Sequence, residues 1–188
     1  MKISVRQGIL QTGFLGVFIS TLVLAAPISY AKSAREIDAS VETALEHFQS
    51  EIADAKSLLK QAKGVLVLPK VVKGGIGIGG EYGEGALRIK GKTVEYYNTI
   101  GGSIGFQLGA QMKSIYLLFM DDQALKHFRD SDGWKAGVDG SVALVNVGAN
   151  GSADTSKINQ PIVGFVLGQK GLMYNLTLEG SRFNKIVK

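Results

Sequence analysis

Glycine is distributed unevenly along this chain of 188 residues, and the distribution limits the folds available to it. All but three of its 25 glycines lie from Gly64 onward, so the chain has two regions of different composition. The second region contains the run KGGIGIGGEYGEG at residues 73–85. Glycine is unfavourable inside helices, whereas in a sheet it lets another backbone approach closely or lets the sheet bend sharply. The second region is therefore predicted to be a bent β-sheet.

The glycine run also contains G-x-G-x-x-G, with Gly75, Gly77 and Gly80 in the glycine places. A dinucleotide-binding loop needs a helix that begins within these glycines and an acidic residue about 20 residues later. The segment that follows, ALRIK, has the pattern of a strand. Gly75, Gly77 and Gly79 are spaced by two and are predicted to share one face of an extended strand. We therefore interpret these glycines as structural and expect no nucleotide.

The first 31 residues have the pattern of a secretory signal. A positively charged start precedes an apolar run from Gly13 to Ala26, and Ser29-Tyr30-Ala31 places small residues where a signal peptidase cuts. The pattern predicts Sec-type cleavage near Ala31 and a periplasmic or secreted domain of residues 32–188. The alternative is an uncleaved membrane anchor, because residues 9–28 are nearly long enough to span a bilayer.

Charge and cysteine content narrow the classes of partner and chemistry. The chain has no cysteine, which excludes disulfides, thiolate metal sites and thiol nucleophiles. Its formal charge of +5 becomes +3 once Lys2 and Arg6 are removed (5 − 2). A mildly basic domain permits anionic partners but lacks the dense basic face that nucleic-acid binding needs.

Residues 34–63 have the periodicity of an amphipathic helix, with apolar side chains every three or four positions. Ser33 and Glu36 form the capping-box pattern S-x-x-E at its start. Ser50 is a candidate second N-cap, so the segment is predicted to form one helix or two helices with a break near Gln49.

From Gly64 onward the apolar pattern is that of strands. Residues 65–68 predict a short buried strand that ends at Pro69, and Gly91-Lys92 predicts a hairpin. Asp121 or Asp122 is predicted to cap a short helix through Phe128.

Two further strand predictions complete the second region. Residues 134–147 predict one long strand, and residues 162–167 and 172–178 predict a final hairpin. The fold class is therefore α+β. Amphipathic helices in residues 32–63 are predicted to pack on a strongly curved, mostly antiparallel, glycine-rich and barrel-like sheet in residues 64–188.

The sequence offers weak candidates for catalysis and metal binding. Ser103 lies in G-x-S-x-G, and Asp122 and His127 follow in the order of a catalytic triad. The serine of such a motif needs a helix directly after it, and GFQLG is a poor helix start. His47 and His127 are the only histidines, and neither has a second ligand at a metal-binding spacing. We expect no enzyme, no metal and no cofactor.

Four blocks of sequence together identify a family resemblance. They are AKGVLVLPKVVKGGIGIGGEYGEGAL, SIGFQLGAQMKSIYLLFM, ALKHFRDSDGWKAGVDGSVALVNVGANG and IVGFVLGQKGLMYNLTLEGSR. In this order, over nearly the whole region after residue 37, the chain resembles the SYLF-domain family, also called an actin-binding domain in eukaryotic members. The resemblance implies lipid binding, since eukaryotic members bind phosphoinositides and are linked to actin, and bacterial members are mostly exported envelope proteins.

Basic side chains are the candidate contacts to such a lipid, because each Lys or Arg contributes about 1 kcal/mol near an anionic membrane surface. Ordinary solvated surface charge is the other interpretation. An apolar neighbour such as Phe183 or Ile186 is expected to insert shallowly. The predicted function is non-enzymatic binding of anionic phospholipid at the bacterial cell envelope, and the alternative is a structural or adaptor module that binds a protein partner. The candidate lipid-binding residues are Lys70, Lys73, Arg88, Lys90, Lys170, Arg182 and Lys185.

Overall fold

The described part of this computed structural model contains three helices and eight strands. It comprises residues 32–76, 78–104, 109–145, 159–170, 178 and 180–188, so the predicted signal segment lies outside it. The helices are α1 Ala34–Glu51, α2 Ala55–Gln61 and α3 Asp122–Asp130. The strands are β1 Gly64–Ile76, β2 Ile78–Ile89, β3 Lys92–Ile104, β4 Gly109–Phe119, β5 Trp134–Lys135, β6 Ala143–Leu144, β7 Ile162–Lys170 and β8 Arg182–Ile186.

The eight strands form one sheet in the order β5-β8-β3-β2-β1-β4-β7-β6. Every neighbouring pair is antiparallel except β6 and β7, which are parallel. The sheet is curled into a half-barrel, so the predicted α+β class with a curved, mostly antiparallel sheet is confirmed. Within the residues that the structure describes, no helix combines the length and the apolar character needed to cross a bilayer.

The N-terminal segment forms two helices. The Ser33 side chain accepts a hydrogen bond from the Glu36 amide, and the Ser33 amide donates to the Glu36 carboxylate at 2.7 Å, so the predicted capping box is present. The break lies between Glu51 and Ala55, later than predicted. Ser50 is not a cap, because its hydroxyl donates to the His47 carbonyl inside α1 at 2.8 Å.

Both faces of the sheet are covered near the start of β1. Val65 and Val67 face α1 and α2, and we call this side the α1 face. Leu66 and Leu68 point to the opposite side, which packs against α3 and is called the α3 face. Because both sides are covered, the strand has a continuous apolar run rather than an alternating one.

Aromatic side chains form the centre of each packed layer. On the α1 face, Phe48 lies 4.7 Å from Tyr116 and 5.0 Å from Phe165, measured between ring centroids. On the α3 face, Phe128 lies 4.8 Å from Phe119 and 4.9 Å from Tyr97. The helices are therefore held to the sheet by aromatic contacts from several strands.

The prediction that β1 ends at Pro69 is wrong. The strand continues to Ile76, and its pairing with β2 shifts register between Val67 and Lys70. Proline has no amide hydrogen and therefore interrupts a ladder, but a bulge leaves one residue unpaired and so accommodates it. The Pro69 carbonyl accepts a hydrogen bond from the Ser114 hydroxyl at 2.8 Å.

Gly75, Gly77 and Gly79 were predicted to share one face of a single strand, and this prediction is wrong. Gly75 on β1 pairs with Gly79 on β2, so the chain reverses between them. Gly77 itself lies outside the described residues. The predicted close backbone approach occurs instead at Gly85, where a Cβ would overlap the Val67 carbonyl oxygen and lie 2.8 Å from the Leu68 Cα.

The β2–β3 hairpin turns at Lys90-Gly91, one residue before the predicted position. Asp121 caps α3, as predicted, with its carboxylate accepting from the Ala124 amide at 2.9 Å. Ser131 is the C-cap of α3, and its amide donates to the His127 carbonyl.

The long strand predicted from Trp134 is wrong over the described residues. The chain turns after Lys135, where the Lys135 amide donates to the Asp139 carboxylate at 2.7 Å and Gly137 has a φ of 83°. Between Lys135 and Val145, the last described residue of this segment, only Ala143–Leu144 rejoins the sheet. In the predicted final hairpin, the first strand is present as β7, and residues 172–177 lie outside the described residues.

Candidate functional site

The seven basic residues predicted to bind lipid do not form one surface. Lys70 and Arg182 lie on the α1 face, beyond the area that α1 and α2 cover. Lys170 is the last residue of β7, and its side chain lies outside the described part of the structure.

A row of four exposed apolar side chains crosses the α1 face at this end of the sheet. Val72 on β1 pairs in register with Tyr82 on β2, and Tyr82 pairs with Ile100 on β3. On the other side, Val72 pairs with Met112 on β4. These side chains are 40% to 50% exposed. Adjacent strands lie about 4.8 Å apart, so this apolar row is roughly 14 Å long.

Basic residues are the register partners at both ends of the apolar row. Arg182 on β8 pairs with Ile100, and Lys135 on β5 pairs with Arg182. At the opposite end the register partner of Met112 is Lys170. The sheet therefore arranges the sequence Lys135, Arg182, Ile100, Tyr82, Val72, Met112, Lys170 along one line across seven strands. Lys135 is not among the residues predicted from the sequence, because only the pairing of β5 with β8 brings it here.

A polar row lies between the apolar row and the helices. Lys70 pairs with Glu84, Glu84 pairs with Asn98, and the Asn184 side chain donates to Asn98 at 3.0 Å. Among the described residues, no carboxylate forms an ion pair with the exposed Lys70. Lys70 therefore contributes positive charge directly beside the apolar row.

Glu84, the acidic member of the polar row, is neutralised by its neighbours. Lys188 lies 3.0 Å from its carboxylate, and the Tyr82 hydroxyl donates to it at 2.8 Å. Burial raises the pKa of Glu84, but the hydrogen bonds from Tyr82 and Lys188 outweigh burial and leave the pKa below its usual value. The net charge around the apolar row is therefore positive.

Lys185 lies on the α3 face and has an internal partner. Its ammonium lies 2.9 Å from Glu95, which also accepts from both Arg129 and the Tyr97 hydroxyl. Burial raises the pKa of Glu95, but the hydrogen bonds from Arg129, Lys185 and Tyr97 dominate and lower it to about 2. Lys185 therefore has a structural contact, and it is far from the apolar row because it faces the other side of the sheet.

Lys73 also belongs to the α3 face, where it is half-buried in register with Glu81 on β2. Glu81 pairs with Lys113 at 2.7 Å, and both side chains are less than 10% exposed. The Ser181 hydroxyl donates to Glu81 at 2.9 Å. This buried ion pair is enclosed by the sheet and is not placed to contact a membrane surface.

Arg88 and Lys90 form a separate group at the opposite end of the sheet, near α1 and α2. Arg88 makes an ion pair with Glu42 of α1 at 2.9 Å, and its Nε donates to the Gly91 carbonyl at 3.1 Å. Lys90 is exposed in the β2–β3 turn.

The expectation that Phe183 inserts into a membrane is wrong. Phe183 is 1% exposed, and its ring lies 6.0 Å from Trp134 and 6.4 Å from Phe128. It faces the core because side chains alternate along β8 and Arg182 takes the outer side. Ile186 is half-buried beside Tyr96, so it belongs to the edge of the α1-face core.

The arrangement around the serine motif does not match a catalytic elbow in the described residues. Ser103 lies within β3 and pairs with Gly79, rather than at a turn from strand to helix. His127 Nε2 lies 3.1 Å from the Asp139 carbonyl oxygen. In the same part of the chain, no three His, Asp or Glu side chains are grouped to hold a metal ion.

Part of the chain matches a known family. Residues 100–186, from the end of β3 to the end of β8, match the family model described as "Ysc84: Las17-binding protein actin regulator". The resemblance to the SYLF family is thereby confirmed. The matched segment contains Ile100, Met112, Lys135 and Arg182 of the line described above. No curated protein matches the chain.

Proposed function

From the premise that residues 100–186 belong to the SYLF, or Ysc84, family, we propose that this protein binds anionic phospholipid without catalysis, at the bacterial cell envelope. Membership of a family of binding domains supports the non-enzymatic part of the proposal. The observation that carries the lipid part is the apolar row with Lys70 beside it and with Arg182 and Lys135 in register at its β8 end.

The apolar and basic groups contribute comparably to the proposed membrane contact. Complete burial of such an apolar side chain is worth about 1.5–3 kcal/mol, so four that are already half-buried contribute roughly 4 kcal/mol. Lys70, Lys135 and Arg182 add about 1 kcal/mol each near an anionic surface. The contribution of the basic residues is absent at a neutral membrane and is weakened by high salt. Binding should therefore require anionic lipid.

The test is sedimentation of the purified protein with vesicles. Vesicles of phosphatidylglycerol and cardiolipin should retain the protein at low salt, whereas neutral vesicles or high salt should not. Ile100→Gln should weaken binding about fivefold through the lost apolar contact. Val94→Gln is the matched control, since Val94 is on the same strand and 43% exposed. Equal effects of the two substitutions would contradict the proposal.

Charge reversal tests the basic part of the surface separately. Lys70→Glu combined with Lys135→Glu should abolish the salt-sensitive binding, because each change removes one cation and adds an anion. Lys126→Glu on α3 is the control with the same charge change at a highly exposed position, where the side chain is 78% exposed.

The alternative function is a structural or adaptor module that binds a protein partner. The family description, which names Las17 binding and actin regulation, favours this alternative. A folded protein that sediments with neither kind of vesicle at either salt concentration would support it and overturn the lipid proposal.

A further inference from the structure

A second feature lies at the opposite end of the sheet from the apolar row. A pocket of about 350 Å³ opens between α1, α2, the start of β1 and the β2–β3 turn. Its apolar wall includes Leu45 of α1, Leu59 of α2 and the buried Val65 of β1. A cavity of this volume is within the range of small-molecule sites.

Three basic side chains line the mouth of this pocket. They are Lys60 of α2, Arg88 of β2 and Lys90 of the turn. Arg88 is held by Glu42 and by the Gly91 carbonyl, so Glu42 offsets one of the three charges. Lys60 and Lys90 are exposed and have no ion pair with a described residue. The mouth therefore has two uncompensated positive charges above an apolar wall.

The backbone at Lys90 gives independent support for a functional role. Lys90 has a φ of 51° and Gly91 a φ of 76°, so both residues of the two-residue turn are left-handed. Asparagine followed by glycine is the preferred pair for such a turn, whereas lysine in the left-handed region is strained. Strained residues are concentrated at ligand-binding and catalytic sites. The position thus carries a cation at the pocket mouth in place of a residue better suited to the turn.

We propose that this pocket binds one molecule of an anionic amphiphile, with its phosphate or carboxylate at Lys60 and Lys90 and its apolar chain against Leu45, Leu59 and Val65. The shared chemistry is an anionic group on an apolar chain, which a single phospholipid or a free fatty acid would supply. This site is separate from the apolar row and holds an individual molecule rather than a bilayer surface, so it does not depend on the proposed membrane binding.

Short-chain ligands that stay monomeric in solution test this proposal by titration calorimetry. Four ligands are compared at one ionic strength: dihexanoyl phosphatidylglycerol, octanoate, dihexanoyl phosphatidylcholine and glycerol 3-phosphate. We expect saturable one-to-one binding of phosphatidylglycerol or octanoate, and whichever binds identifies the source of the anionic group. Phosphatidylcholine, which has the same chains but no net charge, and glycerol phosphate, which has no chain, should both bind at least tenfold more weakly.

Substitutions separate the charged mouth from the apolar wall. Lys60→Gln with Lys90→Gln should weaken binding about 30-fold. Ala62→Phe, which fills the pocket, should abolish it while every cation remains. Lys126→Gln on α3 is the control and should leave binding unchanged. Lys90→Asn should weaken binding yet raise the melting temperature, so this loss cannot be attributed to unfolding.

The results also distinguish this proposal from the proposed function. The pocket variants should still sediment with anionic vesicles, and Ile100→Gln should still bind the short-chain ligand. Equal binding of phosphatidylglycerol and phosphatidylcholine, undiminished binding by the Lys60 and Lys90 double variant, or no binding of either anionic amphiphile would each overturn the pocket proposal, whatever the vesicle result.

Discussion

Replacing Glu95 by glutamine should make the stability of this protein less dependent on pH in the acidic range. Glu95 accepts hydrogen bonds from Arg129 at 2.9 and 3.1 Å, from Lys185 at 2.9 Å and from Tyr97 at 2.9 Å. These contacts connect β3 with α3 and β8. Glutamine keeps the shape of the side chain but removes its charge, so the substitution isolates the ionic part of the interaction.

The lowered pKa of Glu95 determines how much stability its charge contributes. Its pKa falls from 4.5 to about 2, although burial alone would raise it. A shift of this size corresponds to about 3 kcal/mol at 1.36 kcal/mol per pH unit. The Arg129 and Lys185 side chains are 38% and 46% exposed, and solvent screening reduces the contribution to about 2 kcal/mol. Because the pKa is lower in the folded state, this stabilisation is complete above about pH 5 and is lost as the pH falls toward 2.

Urea unfolding followed by fluorescence measures this difference. The single tryptophan, Trp134, is 1% exposed on the α3 face and so reports unfolding of this layer. At pH 7, Glu95→Gln should lower the free energy of unfolding by about 2 kcal/mol, and the difference from the unmodified protein should shrink steadily between pH 5 and pH 3. Glu46→Gln, at an exposed position of α1, is the control and should have little effect. A difference for Glu95→Gln that is equal at pH 7 and pH 3 would refute the assigned role.

Three further expectations concern stability and can be checked by thermal or urea unfolding. Lys90→Asn should raise the free energy of unfolding by about 1 kcal/mol, because asparagine tolerates the left-handed backbone better than lysine. An unchanged free energy would show that Lys90 is not strained. Gly85→Ala should lower it by about 3 kcal/mol, because the added Cβ overlaps a carbonyl oxygen of β1, whereas Gly80→Ala, with no atom within 4 Å, should change it by less than about 0.5 kcal/mol. Glu81→Gln should lower it by about 3 kcal/mol by leaving Lys113 buried without its carboxylate, and replacing both residues by methionine should recover most of the loss. A double variant as unstable as the single one would contradict that account.

Features decided by residues close in sequence could be predicted. The capping box at Ser33 and the cap at Asp121 each join groups three residues apart, so the sequence contains the whole interaction. The alternating and helical apolar patterns likewise identified the helical and β regions and hence the α+β class. Family resemblance extended this over residues 100–186.

Features decided by strand pairing could not be predicted. In the sequence, Pro69 indicates the end of a strand. The register shifts of β1 against β2 and β4 that let the strand continue are visible only in the structure. Phe183 looks like a membrane-inserting residue until its pairing with Thr99 places it on the buried side of β8. Lys135 and Arg182 are distant in sequence and meet only because two short segments pair at the edge of the sheet. The glycine run offered one usable signal, because a chain reversal between Ile76 and Ile78 aligns Val72 with Tyr82.

Glycines of β2 and β3 have two different roles, and this difference explains why the apolar row is accessible. Gly83 and Gly85 lie against the backbone of β1, where a Cβ would collide. Gly80 and Gly102 pair with each other on the α1 face, and a Cβ at either position would meet nothing within 4 Å. Steric crowding therefore does not account for glycine at these two positions. Because Gly80 and Gly102 lie next to Tyr82 and Ile100 on the same side of the sheet, the lack of side chains there leaves the apolar row as a ridge that an extended surface can reach.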